Sequence, residues 1–332
     1  MKRRDFFKAA AATAAVAGGL NVTLGDEPVA AGKKWIFEGQ SGKTVPEWGD
    51  PAVEKMSTYN PDFADKFLWI RKDNQLLAVY RTCPNQKYPY IYPLAGPKSM
   101  VSVTTESGQP WPHHRSMFFG LDRVNGGNYW QQTRNDGQAI SQGVKLVEAT
   151  ETKVVWTDEA IWGKPGQDPI MRDERRYTVD WRCDDYYIVD FEVKLMPLMD
   201  VTVQHTNHGF FGVRVTSDLA PNGGGTLVNS EGALGQKETE GKPAKWCAYY
   251  GKRFFNPAIT EGVAVLCPPK PFENCPWFTR DYGNISPMPF NYAPGPWLFK
   301  QGEPLEAVYR TVVFAGTPAD VNLNGLWDER YK

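Results

Sequence analysis

The chain has 332 residues, with 37 Lys and Arg against 38 Asp and Glu and a formal net charge of −1. That balance gives no general attraction to nucleic acid or acidic lipid, so neither is expected as a partner. Aromatic residues make up 13%, and 31 Gly with 26 Pro punctuate the chain too often for long helices. An all-β protein is expected from this composition.

At the N-terminus, Lys2-Arg3-Arg4-Asp5-Phe6-Phe7-Lys8 resembles the twin-arginine export pattern: two arginines, a polar residue, an apolar pair and a lysine. The uncharged, alanine-rich run from Ala9 to Leu20 follows. At about 12 residues it is too short to span a bilayer, where roughly 20 are needed. Val29-Ala30-Ala31 supplies small residues where a signal peptidase reads, and cleavage is expected after Ala31. Residues 1–31 are therefore read as an export signal and 32–332 as a single β-sandwich domain. Its expected place of work is the periplasm or the cell exterior. After the signal no run approaches the roughly 18 apolar residues of a membrane span, so none is expected.

The elements then follow as short runs between turn residues. Phe67–Arg71 and Gln75–Tyr80, separated by Lys72-Asp73-Asn74, form a hairpin pattern. Lys153–Thr157 and Met171–Val179 look like strands. Tyr186–Leu195 is the clearest one, because Phe191, Val193 and Leu195 alternate with Glu192 and Lys194 as on a half-buried strand. Pro221-Asn222-Gly223-Gly224-Gly225 reads as a mobile loop with no phosphate-binding continuation. Val263–Leu266 and Ala307–Phe314 add two strands. A short helix is expected over Pro318–Asn324, with Thr317 as its cap and Gly325 just past its end.

Five cysteines, Cys83, Cys183, Cys247, Cys267 and Cys275, include no C-x-x-C pair. Their odd number leaves at least one thiol without an internal partner, and Cys267 and Cys275 are the candidates for local pairing. A sulfur-based metal cluster is not expected, nor is any cofactor; a divalent metal on histidine remains an alternative.

The four histidines fall in two tight motifs, Trp111-Pro112-His113-His114-Arg115-Ser116 and His205-Thr206-Asn207-His208-Gly209-Phe210-Phe211. Imidazole is the side chain whose charge changes nearest neutral pH, and so the usual proton donor or acceptor in catalysis. Three readings stand: an acid/base site joining His208 to His113 or His114, a metal site, and satisfied loop residues. Adjacent histidines on a strand point to opposite faces, so one of His113 and His114 is expected to enter a given site. No H-x-x-x-H or H-E-x-x-H spacing supports metal.

Around them, Arg115, and Arg280 beside Asp281, carry planar guanidinium groups suited to carboxylates and sugar hydroxyls. Asp122 is placed to orient an imidazole or cap a loop. Asn125, Asn128 and Trp130 sit in a Gly-rich segment that can approach a ligand. Trp111 or Trp130 is a candidate stacking platform.

Tyr88–Leu94, Pro112–Gly120 and Val124–Trp130, with Phe278-Thr279-Arg280-Asp281-Tyr282-Gly283 later, resemble a family of exported bacterial proteins labelled methane oxygenase PmoA-like. The resemblance covers roughly Tyr80 to Phe314. Separately, Thr206-Asn207-His208-Gly209-Phe210-Phe211 is similar to a block of the aldose 1-epimerases, the galactose mutarotase family. That second resemblance implies a mutarotase-like β-supersandwich of many short, mostly antiparallel strands with few short helices. It also implies His208 as general acid on a sugar ring oxygen, with His113 or His114 as the earlier histidine. Epimerases carry a late catalytic glutamate as base; here the late block offers Arg280 and Asp281 instead.

The expected function is that of an exported carbohydrate-active enzyme: a hydrolase, lyase or epimerase acting on a sugar or modified glycan. His208, His113, His114 and Asp281 are the catalytic candidates, and Arg115, Asn125, Trp130, Asn207, Arg280 and Tyr282 the binding ones. The alternatives are a non-catalytic carbohydrate-binding module and, from the PmoA-like label, a metal-dependent oxidoreductase.

Overall fold

The computed structural model describes residues 35–38, 67–106, 108–131, 133–292 and 295–332. The expected export signal lies outside them. Among the described residues the strands form two antiparallel sheets, of eleven and nine strands, stacked as a β-sandwich. The expected all-β class, with few short helices, is what the chain adopts.

The first sheet runs Trp35–Glu38, Phe67–Lys72, Gln75–Arg81, Tyr90–Leu94, Met117–Val124, Gly209–Arg214, Asn284–Pro287 and Trp277–Arg280. The second runs Thr226–Asn229, Trp246–Arg253, Asn256–Leu266, Leu305–Ala315, Tyr186–Pro197, Met171–Cys183, Lys153–Gly163 and Gln138–Ser141. The first hairpin turns on Asp73 and Asn74, whose φ values of 51° and 62° are the consecutive left-handed residues that a tight two-residue turn demands.

Aromatic rings from both sheets interlock in the core. Phe119 and Phe211 of the first sheet meet Phe191 and Tyr309 of the second, with Phe211 and Tyr309 stacked 4.6 Å apart at an interplanar angle of 3°. A second apolar layer lies on the far face of the nine-stranded sheet, where Ile188, Leu266, Val312 and Phe314 are covered by Val321, Leu323 and Leu326.

The C-terminal helix is Leu323–Tyr331, later than expected. Asp320 accepts from both the Thr317 amide and its hydroxyl, which holds residues 317–320 as a turn. Asn322 then caps the helix by accepting from Gly325 N at 2.9 Å, so Gly325 is inside it. Pro221–Gly223 likewise departs from the expected loop: it is a 3-10 turn closed by Gly224 in the left-handed region.

Met171–Cys183 runs four residues beyond the expected Met171–Val179, and two of its buried residues are charged. Arg175 and Asp173, both fully buried, pair at 2.5 Å, and Trp162 Nε1 donates to the same carboxylate at 2.5 Å. Charge inside a strand breaks the apolar alternation on the page, while pairing makes it tolerable in the fold.

Cys267 and Cys275 are free thiols. Their Sγ atoms donate to Pro268 O at 3.5 Å and Pro276 O at 3.6 Å, and burial raises the Cys247 thiol.

Candidate functional site

The site forms on the outer face of the eleven-stranded sheet. On Met117–Val124, Phe118, Gly120 and Asp122 alternate with the core residues Phe119 and Leu121. Gly212 pairs with Phe118 on the neighbouring strand, and that strand ends at Arg214. A Cβ on Gly120 would stand 2.9 Å from Tyr129 O and 3.2 Å from the Trp130 and Tyr88 rings. Glycine there lets the indole of Trp130 lie directly on the sheet. Asn128 Oδ1 fixes the approach by accepting from Trp130 N and Gln131 N at 3.0 and 2.8 Å.

Three histidines gather round that indole. His113, His114 and His208 have ring centroids 4.7, 5.0 and 5.3 Å from Trp130. His113 and His114 are 4.6 Å apart. The expectation that only one of the adjacent pair enters is corrected, since both lie in a turn closed by His114 N donating to Trp111 O at 3.1 Å. Tyr88 steadies this turn by donating to His113 O at 2.7 Å. His205 stands apart, exposed, its carbonyl receiving Arg123 Nη1 at 2.7 Å.

His208 is the half-exposed member, and its orientation is fixed from behind. Nδ1 donates to Asp122 Oδ2 at 2.7 Å, and Asp122, 3% exposed, accepts at its other oxygen from Thr206 Oγ1. Thr206 Oγ1 in turn accepts from His208 N at 3.0 Å. A carboxylate on Nδ1 sets the tautomer and leaves Nε2 as the working nitrogen. The imidazole and Asp122 border a cavity of about 390 Å³ with Asn128, Gln131 and Gln204.

His114 is buried, with Nδ1 3.5 Å from Arg214 Nη1. Arginine can only donate, so His114 Nδ1 accepts and its proton resides on Nε2. Burial first, then His113 and Arg214, lowers the His114 pKa to about 2; burial, then His208, lowers that of His113 to about 4. Both are therefore neutral at physiological pH. In the unfolded chain they titrate near 6.5, so below that pH the unfolded state binds more protons. Stability is therefore expected to fall as pH drops from 6.5 through 4. The slope is up to about 1.4 kcal/mol per pH unit for buried His114 and less for solvent-screened His113. Urea unfolding from pH 7 to 4 checks this: His114→Gln should flatten the dependence, and an unchanged slope refutes the assignment.

Several candidate residues serve other ends. Asp281 Oδ1 accepts from Gln236 N at 2.8 Å at the start of the Gly235–Thr239 helix, so its carboxylate caps a helix and is not a base for the histidines. Arg280 is bound by Glu240 at 2.5 Å, and Arg115 by Glu106 at 3.3 Å. Asn125 bridges Asp200 O and Thr202 N, closing a turn. Trp130 is 2% exposed, so it orders the histidines and is no open platform; Trp111, 46% exposed and 6.0 Å from His113, is the accessible indole. Asn207 is half-buried beside His208, and Tyr282 packs 5.9 Å from His114.

Arg214 is the residue that sequence reading passed over. Its signal was a lone cation ending the apolar run Gly209-Phe210-Phe211-Gly212-Val213. Among the described residues no group of three or more His, Cys, Asp or Glu is arranged to hold a metal, and no helix is long and apolar enough to cross a membrane.

An all-β sandwich bearing a buried aspartate paired with a partly exposed histidine, beside an aromatic-histidine cluster, is the class that fold and site define. Residues 68–328 match a family of unknown function, DUF6807, and the chain belongs to that family. No curated protein matches it.

Proposed function

We propose that the chain is an exported carbohydrate-active enzyme in which His208 performs acid/base chemistry on a glycan. The observation that carries the reading is the Asp122–His208 pair: a buried carboxylate on Nδ1 of a partly exposed imidazole that borders a polar cavity. In that arrangement His208 Nε2 takes a proton from a sugar hydroxyl or water, or returns one to a ring or glycosidic oxygen, and Asp122 balances the imidazolium that forms. Neutral His114, its proton on Nε2, is a hydrogen-bond donor beside it that holds no charge of its own. Exposed Trp111 offers an apolar face of the kind that sugar rings stack on.

The similarity of the Thr206–Phe211 block to the mutarotases supports the sugar assignment, and the twin-arginine pattern supports a place outside the cytoplasm, where free glycan is met. The test is a screen of neutral and acidic oligosaccharides for product formation by the mature chain, with His208→Ala alongside. Turnover that disappears in the variant while binding persists is the expected result. Binding with no turnover by the parent protein would make the chain a carbohydrate-binding module, and equal turnover by both would remove His208 from the chemistry.

A further inference from the structure

Arg214 is 4% exposed, yet among the described residues no carboxylate lies within salt-bridge distance of it. Three of the four other buried arginines show what a sandwich ordinarily requires. Arg175 has Asp173 at 2.5 Å, Arg253 has Asp218 at 3.0 Å, and Arg310 has Asp190 at 2.8 Å. An uncompensated buried cation is costly, and a fold retains one where something else supplies the opposite charge.

What Arg214 does touch is neutral. Nη2 donates to Gln109 O at 3.1 Å, Nη1 lies 3.5 Å from His114 Nδ1, and the guanidinium carbon is 4.4 Å from the centre of the Tyr282 ring. Nε has no partner. Burial holds the guanidinium below the usual arginine range. The group borders a second cavity of about 390 Å³, lined also by Gly108, Gln109, Ser217, Asn222 and Tyr282, a size in the range of small-molecule sites. Its lining mixes polar and apolar residues and carries no acid, so an incoming anion meets no like charge.

We infer that Arg214 binds an anionic substituent of the substrate, which makes the preferred ligand an acidic glycan. The inference rests on the carbohydrate reading for its sugar, though not for its anion. Guanidinium presents paired donors to the two oxygens of a carboxylate or of a sulfate ester alike. Arg214 closes the Gly209–Arg214 strand, which begins directly after His208. Both side chains join the same aromatic-histidine cluster, Arg214 through His114 and His208 through Trp130.

Two titrations test this separately. In the first, acetate and sulfate are added at constant ionic strength with chloride, and melting temperature is read. The parent protein should show a saturable rise that Arg214→Gln abolishes and His208→Ala retains. Without anion, Arg214→Met should melt no lower than the parent, because it removes an unpaired buried charge; a fall comparable to that of Arg175→Met would make Arg214 structural and overturn the inference. In the second, uronate oligosaccharides, sulfated oligosaccharides and neutral ones of matching linkage are compared by calorimetry, using glucose-, galactose- and mannose-derived sets. Acidic members should bind about tenfold tighter or more, and Arg214→Gln should erase that preference. A preference for the uronates or for the sulfated members tells carboxylate from sulfate. Neutral and acidic glycans bound equally would refute the anion site and leave the carbohydrate reading standing. Anions bound through Arg214 with no glycan bound would refute the carbohydrate reading and leave the anion site standing. No response in either titration refutes both.

Discussion

Replacing His208 by alanine should lower kcat on a glycan found by screening by about 10²–10⁴-fold, the range a positioned general acid or base contributes. The melting temperature should hardly move, since the ring is half-exposed and its removal opens no closed core. Asp122→Asn is the sharper companion. It preserves shape but replaces a carboxylate, which only accepts, with an amide that can present a donor to Nδ1. That reverses the tautomer and turns Nε2–H toward the cavity, so a loss of up to about 10⁴-fold is expected in kcat with little change in substrate affinity. Thr206→Val removes the hydroxyl that holds the other Asp122 oxygen and the His208 amide; it should cost less, because the Asp–His bond survives. A parent-like kcat in both His208→Ala and Asp122→Asn would end the acid/base proposal.

How much of this was legible in the sequence differs by element. Strands with clean alternation, Tyr186–Pro197 above all, announce themselves because one face is apolar and the other charged. The inner faces of Lys153–Gly163 and Met171–Cys183 are harder to read. Asp158, Asp173 and Arg175 are buried there, and their partners make burial acceptable: Tyr80 of the facing sheet and Ser141 donate to Asp158, Trp162 donates to Asp173, and Arg175 pairs with Asp173 on the same strand. Pairing between distant positions leaves no local signature.

The site shows the same division. His113, His114 and His208 stand out by their clustering, but what each does depends on Asp122, on Trp130 lying against Gly120, and on Arg214. Arg115 and Arg280 look like ligand-binding cations because each sits in a distinctive motif; in the fold each meets a glutamate, Glu106 or Glu240. Arg214 looks like the end of a core strand and meets none. The presence of a guanidinium is written in the sequence, whereas the absence of its counter-charge is a property of the fold alone.

The largest stability effect should come from the middle of the sandwich. Asp173→Ala is expected to lower the free energy of unfolding by about 3–5 kcal/mol, because it strands the Arg175 charge and leaves the Trp162 N–H without its acceptor. The comparison that isolates burial is Lys98 with Asp185, a pair of similar length at 2.8 Å whose side chains are 45% and 66% exposed. Removing Asp185 should cost less than about 1 kcal/mol, since water already screens both charges and replaces either partner. Arg175 and Asp173 show 0% exposure, so no water takes the vacated place. The double variant Asp173→Ala with Arg175→Met should then recover most of the loss, since it removes the stranded charge together with its partner and fills part of its volume. Urea unfolding of the four proteins of this cycle at neutral pH gives the coupling directly. If Asp173→Ala costs no more than the exposed pair, or the double variant is less stable than the single, burial of an uncompensated charge is not what governs this core, and the contrast drawn between Arg175 and Arg214 loses its basis.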